Sequence, residues 1–302
     1  QDVSVYPIDK LGDVLQRIGE DQQKVLADPN TANAWTQLTM EEAGAILVAG
    51  QDPTMLPKAC KNAVELAGMQ RAHLRDGVAV TRFLAWLDRL IASGDYQDMD
   101  EGTLADRLEA FRREQDHYVE PSFDTISALG PNAAMCHYRH TNGVPRPFGQ
   151  DSIYLVDSGA QYLDGTTDIT RTVKVGEVTD EHKAMFTRVL QGHIALDQAR
   201  FPRGTAGIQL DVLARMPLWQ AGYNYDHGTG HGVGHFLSVH EGPQRIAPKG
   251  SLVALQPGMV LSNEPGYYRE NGFGIRCENL VVVTELEQIG ELPMLGFERL
   301  TY

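Results

Sequence analysis

The residues able to do chemistry fall into two acidic pairs and one histidine-rich tract. Asp157 follows the apolar run Leu155-Val156, and Asp168 opens the alternating run Ile169-Thr170-Arg171-Thr172 eleven residues later. Gly159, Asp164 and Gly165 between them are turn-formers. If the two runs are neighbouring strands, the carboxylates face one another. Like charges at that range repel strongly, so a compensating divalent cation is required. Taken alone, the pair also reads as turn aspartates at strand ends.

The second pair repeats the logic. Val260-Leu261-Ser262-Asn263-Glu264 and Gly274-Ile275-Arg276-Cys277-Glu278 flank Asn271-Gly272, a strong hairpin signal. Glu264 and Glu278 are equidistant from Asn271, so a hairpin turning there sets them opposite each other. Glu278 leads into Leu280-Val281-Val282-Val283, where an unpaired carboxylate would be costly. The plainer reading is two strand-end glutamates satisfied by Arg276.

Between the pairs, His227, His231, His235 and His240 fall within fourteen residues, four of the ten histidines in the chain. The glycines at 228, 230, 232 and 234 exclude a stable helix, so the tract is extended or irregular and its backbone approaches something closely. Histidine binds metals and moves protons near neutral pH. A histidine-rich zinc tract is the rival reading. Four carboxylates with one histidine form an oxygen-rich set that suits Mn²⁺. Two such ions roughly 3.5 Å apart would hold a bridging hydroxide for hydrolysis.

The elements that must position these groups follow an α+β order. Apolar spacing predicts helices over 11–26, from about 60 to 87, and over 100–115, 180–200 and 207–221. Strands are expected at 45–49, 125–128, 153–156 and 169–175, with strand-like, glycine-rich sequence after 221. Helices, strands, helices, strands suggests two similar halves. Residues 1–58 cannot easily close a sheet of their own and read as part of a neighbouring domain. The chain starts at Gln1 rather than Met, as expected of a processed or shortened piece.

Composition narrows the partners. At 302 residues and 42% hydrophobic, the chain can bury a large core, and its net charge of −14 excludes a basic nucleic-acid face and disfavours an anionic membrane. No apolar run spans a bilayer and no secretion signal is recognisable. Cys60, Cys136 and Cys277 have neither zinc-site nor redox spacing. A reducing, cytoplasmic compartment is expected, with all three as small buried apolar residues.

Together, Val156-Asp157-Ser158-Gly159, Asp164-Gly165-Thr166-Thr167-Asp168, His227-Gly228-Thr229-Gly230-His231-Gly232-Val233-Gly234, Glu264-Pro265-Gly266-Tyr267-Tyr268 and Gly274-Ile275-Arg276-Cys277-Glu278 resemble the Xaa-Pro aminopeptidase (aminopeptidase P) family of metallopeptidases. The likeness runs from about 59 to 302, and the glycine-histidine tract is similar to that of its large multi-domain branch. The resemblance implies the pita-bread fold of creatinase and methionine aminopeptidase, with pseudo-two-fold halves. Asp157 would bind one metal, His231 and Glu264 the other, and Asp168 and Glu278 both. The cofactors would be two divalent ions, Mn²⁺ with Zn²⁺ or Co²⁺ as alternatives.

Glu264 would also be the general base of hydrolysis by a metal-bridging hydroxide. His240 would hold the scissile carbonyl, while His137 and His227 shape the pocket and contact substrate. Arg276 would neutralise the carboxylates. His235 stands where close relatives carry a small polar residue, and would narrow the proline pocket or fill space. Residues 1–58 would be the remnant of a creatinase N-terminal-like domain before a catalytic domain at 59–302. The full-length protein would be a homodimer, its missing first domain restricting access to the site.

The implied substrate is a peptide with proline second. Its tertiary amide lacks the N–H that general peptidases use. Two alternatives stand beside this reading. A dipeptide-only prolidase needs a cationic clamp for the substrate carboxylate, which the sequence does not locate. A non-catalytic binding module is disfavoured by the retention of all five ligand types.

Overall fold

Polar caps fix where the large helices begin. Asn62 accepts hydrogen bonds from the amides of Val64 and Glu65, and the Glu65 carboxylate accepts one from the Asn62 amide. This box starts the 31-residue helix Ala63–Ser93, which Gly94 ends at φ 71°, a conformation open to glycine. Asp100 and Thr179 cap Glu101–Arg113 and Asp180–Asp197 in the same way. The fourth large helix is Gly207–Trp219. Each expected helix is present; the one expected from about 60 to 87 starts at Ala63 and runs on to Ser93, and the others are shorter at one or both ends. Cys60 lies outside the first and bridges Met259 instead.

This architecture comes from a computed structural model, which describes residues 4–20, 22–149, 152–250 and 252–302. The chain divides into two compact units, 1–57 and 58–302. In the larger unit the helices and strands do fall into two similar halves. In the first half, Ala63–Ser93 and Glu101–Arg113 pack on an antiparallel sheet of Ile126–Leu129, Ser152–Ser158 and Ile169–Val175. In the second, Asp180–Asp197 and Gly207–Trp219 accompany a sheet ordered Val260–Asn263, Asn279–Glu285, Met294–Arg299, Phe201–Pro202.

Each half has its own core. Phe83, Leu87, Leu104, Leu108, Tyr154 and Val156 fill the first, and Leu210, Leu255, Leu261, Val281, Val283 and Leu295 the second. Each fully buried leucine or phenylalanine contributes about 2 kcal/mol, so each half holds its own pair of acidic strand ends firmly.

Buried ion pairs add polar struts. Arg112 pairs with Asp76 at 2.8 Å and reaches the carbonyls of Ser158 and Gly159, directly after Asp157. Arg215 pairs with Asp211 at 2.6 Å and donates to the carbonyls of Tyr225 and His227, at the start of the histidine tract. Among the described residues, no helix is long and apolar enough to cross a membrane.

The smaller unit departs from expectation. The helix read over 11–26 ends at Glu20, position 21 lies outside the described residues, and Lys24–Ala27 is a strand. It pairs in parallel with Ile46–Ala49, across the helix Ala34–Glu42. A run as short as Val25-Leu26-Ala27 fits either periodicity, and pairing with the second strand decides it.

Candidate metal centre

The middle strand Ser152–Ser158 runs beside Ile169–Val175 with Asp157 opposite Thr170 and Ser158 opposite Ile169. Asp157 is therefore the last residue but one of one strand, while Asp168 directly precedes the other. The connection is not a simple turn: it folds out as Ala160–Tyr162 and Gly165–Thr166, which pair with each other.

The second acidic pair sits in a break in one continuous register. Asn263 pairs with Asn279 on one side of the break and Gly266 with Arg276 on the other. Glu264 and Glu278 thus stand across from each other without ladder bonds between them. The Glu264 amide donates to the Thr229 carbonyl at 2.8 Å, and the Glu278 amide to that of Thr170 at 3.3 Å.

The histidine tract reaches these strands through its glycines. A Cβ on Gly230 would lie 1.9 Å from the Ser262 carbonyl oxygen, and one on Gly232 2.0 Å from that of Glu241. Only glycine permits such approach. The two-residue strand Gly230–His231 then pairs with Arg245–Ile246. His231 Nδ1 donates to the Gly232 carbonyl at 2.9 Å, which turns Nε2 toward Asp168 at 3.5 Å and Glu264 at 3.4 Å. That is the ring orientation a metal ligand needs.

His137, Asp157, Asp168, His227, His231, His240, Glu264 and Glu278 all line one cavity of about 630 Å³. Ligand atoms of Asp168, His231 and Glu278 lie within 4.8 Å of one another. Asp157 Oδ1 and Asp168 Oδ1 are buried and accept no hydrogen bond from any described residue. Burial first, then the neighbouring Asp157 and Glu264, raises the Asp168 pKa well above the usual carboxylate range. Burial, with Asp168 and Asp157 adding to it, does the same for Glu278. Glu264 is raised too, by burial, against the pull of His231 and Arg276. Mutually repelling, partnerless carboxylate oxygens beside an imidazole nitrogen suit divalent cations.

Arg276 offsets part of this charge. Its Nη2 lies 2.5 Å from Asp157, its Nε donates to Thr170 at 3.2 Å, and its Nη1 donates to the Tyr268 hydroxyl at 2.8 Å. Thr170 in turn donates to Glu278 at 2.6 Å, and Ser262 donates to Glu264 at 3.0 Å while accepting from the His231 amide. Tyr268, Thr170 and Ser262 went unassigned in the sequence. They lie inside or beside its motifs, but nothing in their type marks them as partners of the ligands.

Two expectations are narrowed and one is corrected. His235 does not line the cavity; its Nε2 lies against Gly68 of the first long helix, because the tract turns away after Gly232. His227 lines the cavity with both ring nitrogens engaged, Nδ1 on the Gly228 carbonyl and Nε2 on the Tyr268 hydroxyl. It shapes the wall and offers no free nitrogen. The three cysteines are free and only partly buried, and Cys136 lines the cavity, since the loop after Gly130–Ala134 forms its wall.

Comparison with known proteins agrees with this geometry. The model of metallopeptidase family M24 matches residues 67–285. A "Probable Xaa-Pro aminopeptidase P" of Botryotinia fuckeliana is 53% identical over 249 residues, 81% of this chain and 38% of that protein. The X-prolyl aminopeptidase of Caenorhabditis elegans, described as a cytosolic enzyme with a di-nuclear active site, superposes with a TM-score of 0.88 at 38% identity, over 99% of this chain and 49% of that one. The Xaa-Pro dipeptidase of Bacillus anthracis superposes with a TM-score of 0.78 at 26% identity, over 96% and 76%. The chain spans well under half the length of the curated relatives it matches.

Proposed function

The chain belongs to metallopeptidase family M24 and has its pita-bread fold, and from that premise we propose that it removes an N-terminal residue preceding proline. The observation that carries this reading is the convergence on one cavity of five donor residues from three separate stretches of the chain, two of them with buried, partnerless oxygens. Relatives named Xaa-Pro aminopeptidase P supply the substrate class.

Asp157, Asp168, His231, Glu264 and Glu278 would hold two divalent cations, with Mn²⁺ favoured by the oxygen-rich donors and Zn²⁺ or Co²⁺ as alternatives. Bound there, the cations supply Lewis acidity and lower the pKa of the attacking water. Glu264, steadied by Ser262, takes the water's proton and returns it to the departing proline nitrogen. His240, whose ring lies 4.2 Å from that of His231, donates to the scissile carbonyl oxygen as charge develops there. His137 and His227 wall the pocket. Arg276 and Tyr268 keep Asp157 and His227 in place.

Residues 1–58 belong to a preceding creatinase N-terminal-like domain and 59–302 form the catalytic domain. The full-length protein acts as a cytoplasmic homodimer. The nematode neighbour's description as cytosolic supports the compartment.

One observation favours a dipeptidase reading. Arg245 lines the cavity with no carboxylate partner among the described residues, and it would suit a substrate's terminal carboxylate. The test measures bound metal together with hydrolysis of Xaa-Pro and Arg-Pro-Pro-type peptides, with chelator and then with added Mn²⁺. The expected result is cleavage of the longer peptide, lost on chelation and restored by Mn²⁺. Cleavage of dipeptides alone selects the second reading. A purified chain that binds no divalent cation overturns both.

A further inference from the structure

Glu264 and Glu278 occupy a two-residue break in their ladder, crossed by one backbone bond, from the Cys277 amide to the Pro265 carbonyl at 3.3 Å. On the sheet side of the break an imidazole from another element joins the two strands. His193, buried on the helix Asp180–Asp197, places Nδ1 3.0 Å from the carbonyl oxygen of Asn263. The Asn263 side chain answers by donating to the His193 carbonyl at 2.9 Å. On the opposite edge of the ring, Asn279 Nδ2 lies 3.3 Å from Nε2.

These three bonds fix one protonation pattern. A carbonyl can only accept, so Nδ1 carries the hydrogen; Nε2 then accepts from Asn279. Burial lowers the His193 pKa, with Asp197 opposing, which favours this neutral form. Asn263 and Asn279 are register partners, the last pair before the break. One immediately precedes Glu264 and the other immediately follows Glu278. Asn279 Oδ1 also accepts from Arg171 at 3.1 Å, and Arg171 donates to the Glu278 carbonyl at 2.7 Å. The imidazole therefore spans both strands at the point where they deliver the glutamates.

We infer that His193 is a positioning residue for the metal centre: by bridging Asn263 and Asn279 it sets the separation of Glu264 and Glu278. The inference rests on the metallopeptidase reading above. Partners that orient ligands without touching the metal change metal affinity about 10–100-fold when removed. Glutamine carries both a donating NH₂ group and an accepting oxygen on a single amide and can replace the ring's two bonds; phenylalanine can replace neither.

The experiment is Mn²⁺ titration calorimetry on wild type, His193→Phe and His193→Gln, with melting of each metal-free protein as control. We expect about 10–100-fold weaker Mn²⁺ binding in His193→Phe and near-wild-type binding in His193→Gln, with peptide KM little changed at saturating metal. Wild-type affinity in His193→Phe overturns the inference, whereas a wild type that binds none of Mn²⁺, Zn²⁺ and Co²⁺ overturns the metallopeptidase reading instead. Because the phenylalanine variant can fail to fold, ¹⁵N NMR of the wild-type imidazole gives a second test. It should show Nδ1 protonated and Nε2 bare; the opposite tautomer refutes the bridge.

Discussion

The carboxylates and the histidines reach the same cavity by different means. The four acids stand at the ends or in a break of regular antiparallel strands, and the register places each one. The histidines ride on an irregular, glycine-spaced segment placed by close contact of backbone with backbone. The difference follows from charge. Four carboxylates without cations push one another apart, so they need rigid frames, each backed by its own core. An imidazole binds metal in its neutral form, which repels no neighbour, so the histidine segment needs only room to lie close.

Glu264→Gln should separate charge from shape most sharply. Losing the base and a ligand should lower kcat at least about 10³-fold. The metal-free protein should melt no lower than wild type, because glutamine keeps the shape and removes a buried charge. Steady-state kinetics and melting in chelator check both halves. Substantial residual turnover would remove Glu264 from the chemistry.

Gly230→Ala attacks the other frame. The new Cβ would lie 1.9 Å from the Ser262 carbonyl, so backbone must move. Overpacking of this kind costs about 3 kcal/mol. A shift of about 1 Å at His231 would also lower turnover about 10²-fold. Denaturant titration and kinetics should register both losses; wild-type stability would mean that the contact is loose.

His227 gives the comparison a pH axis. Burial lowers its pKa from 6.5 to about 4, with the Gly228 carbonyl opposing. Between those values the unfolded chain takes up a proton that the folded chain refuses. Its contribution to stability is therefore full above pH 6.5 and falls as pH drops toward 4, by about 3 kcal/mol in all. Denaturant titrations of wild type and His227→Phe from pH 4 to 8 should differ by that slope. A constant difference would place a protonated ring in the folded state.

Legibility in the sequence divides along the same line. The glutamate pair could be located by counting from Asn271, because a hairpin register is arithmetic, and the observed register agrees. The tract's glycines announced close approach but not its partners, since Ser262 and Glu241 are set by tertiary packing. His193 gave no signal at all: it sits in ordinary helical sequence and acts on residues some seventy and eighty-six positions away. The strand Lys24–Ala27 was lost to a short apolar run whose partner alone defines it.

His235 marks where the irregular segment stops serving the cavity, and its removal should have the smallest effect. Four histidines spaced by glycine looked like one functional unit, yet the chain turns between Gly232 and His235. The ring then lies beside Gly68 and Asp164 on the first half's long helix and connecting loop. Nothing it touches there belongs to the metal ligands. His235→Ala should therefore leave kcat/KM for an Xaa-Pro-Xaa peptide within about twofold of wild type, since surface changes away from special features stay within about 0.5 kcal/mol. A tenfold change in KM alone would return His235 to the substrate pocket. It would also mean that the irregular frame extends further toward the substrate than its glycine contacts indicate.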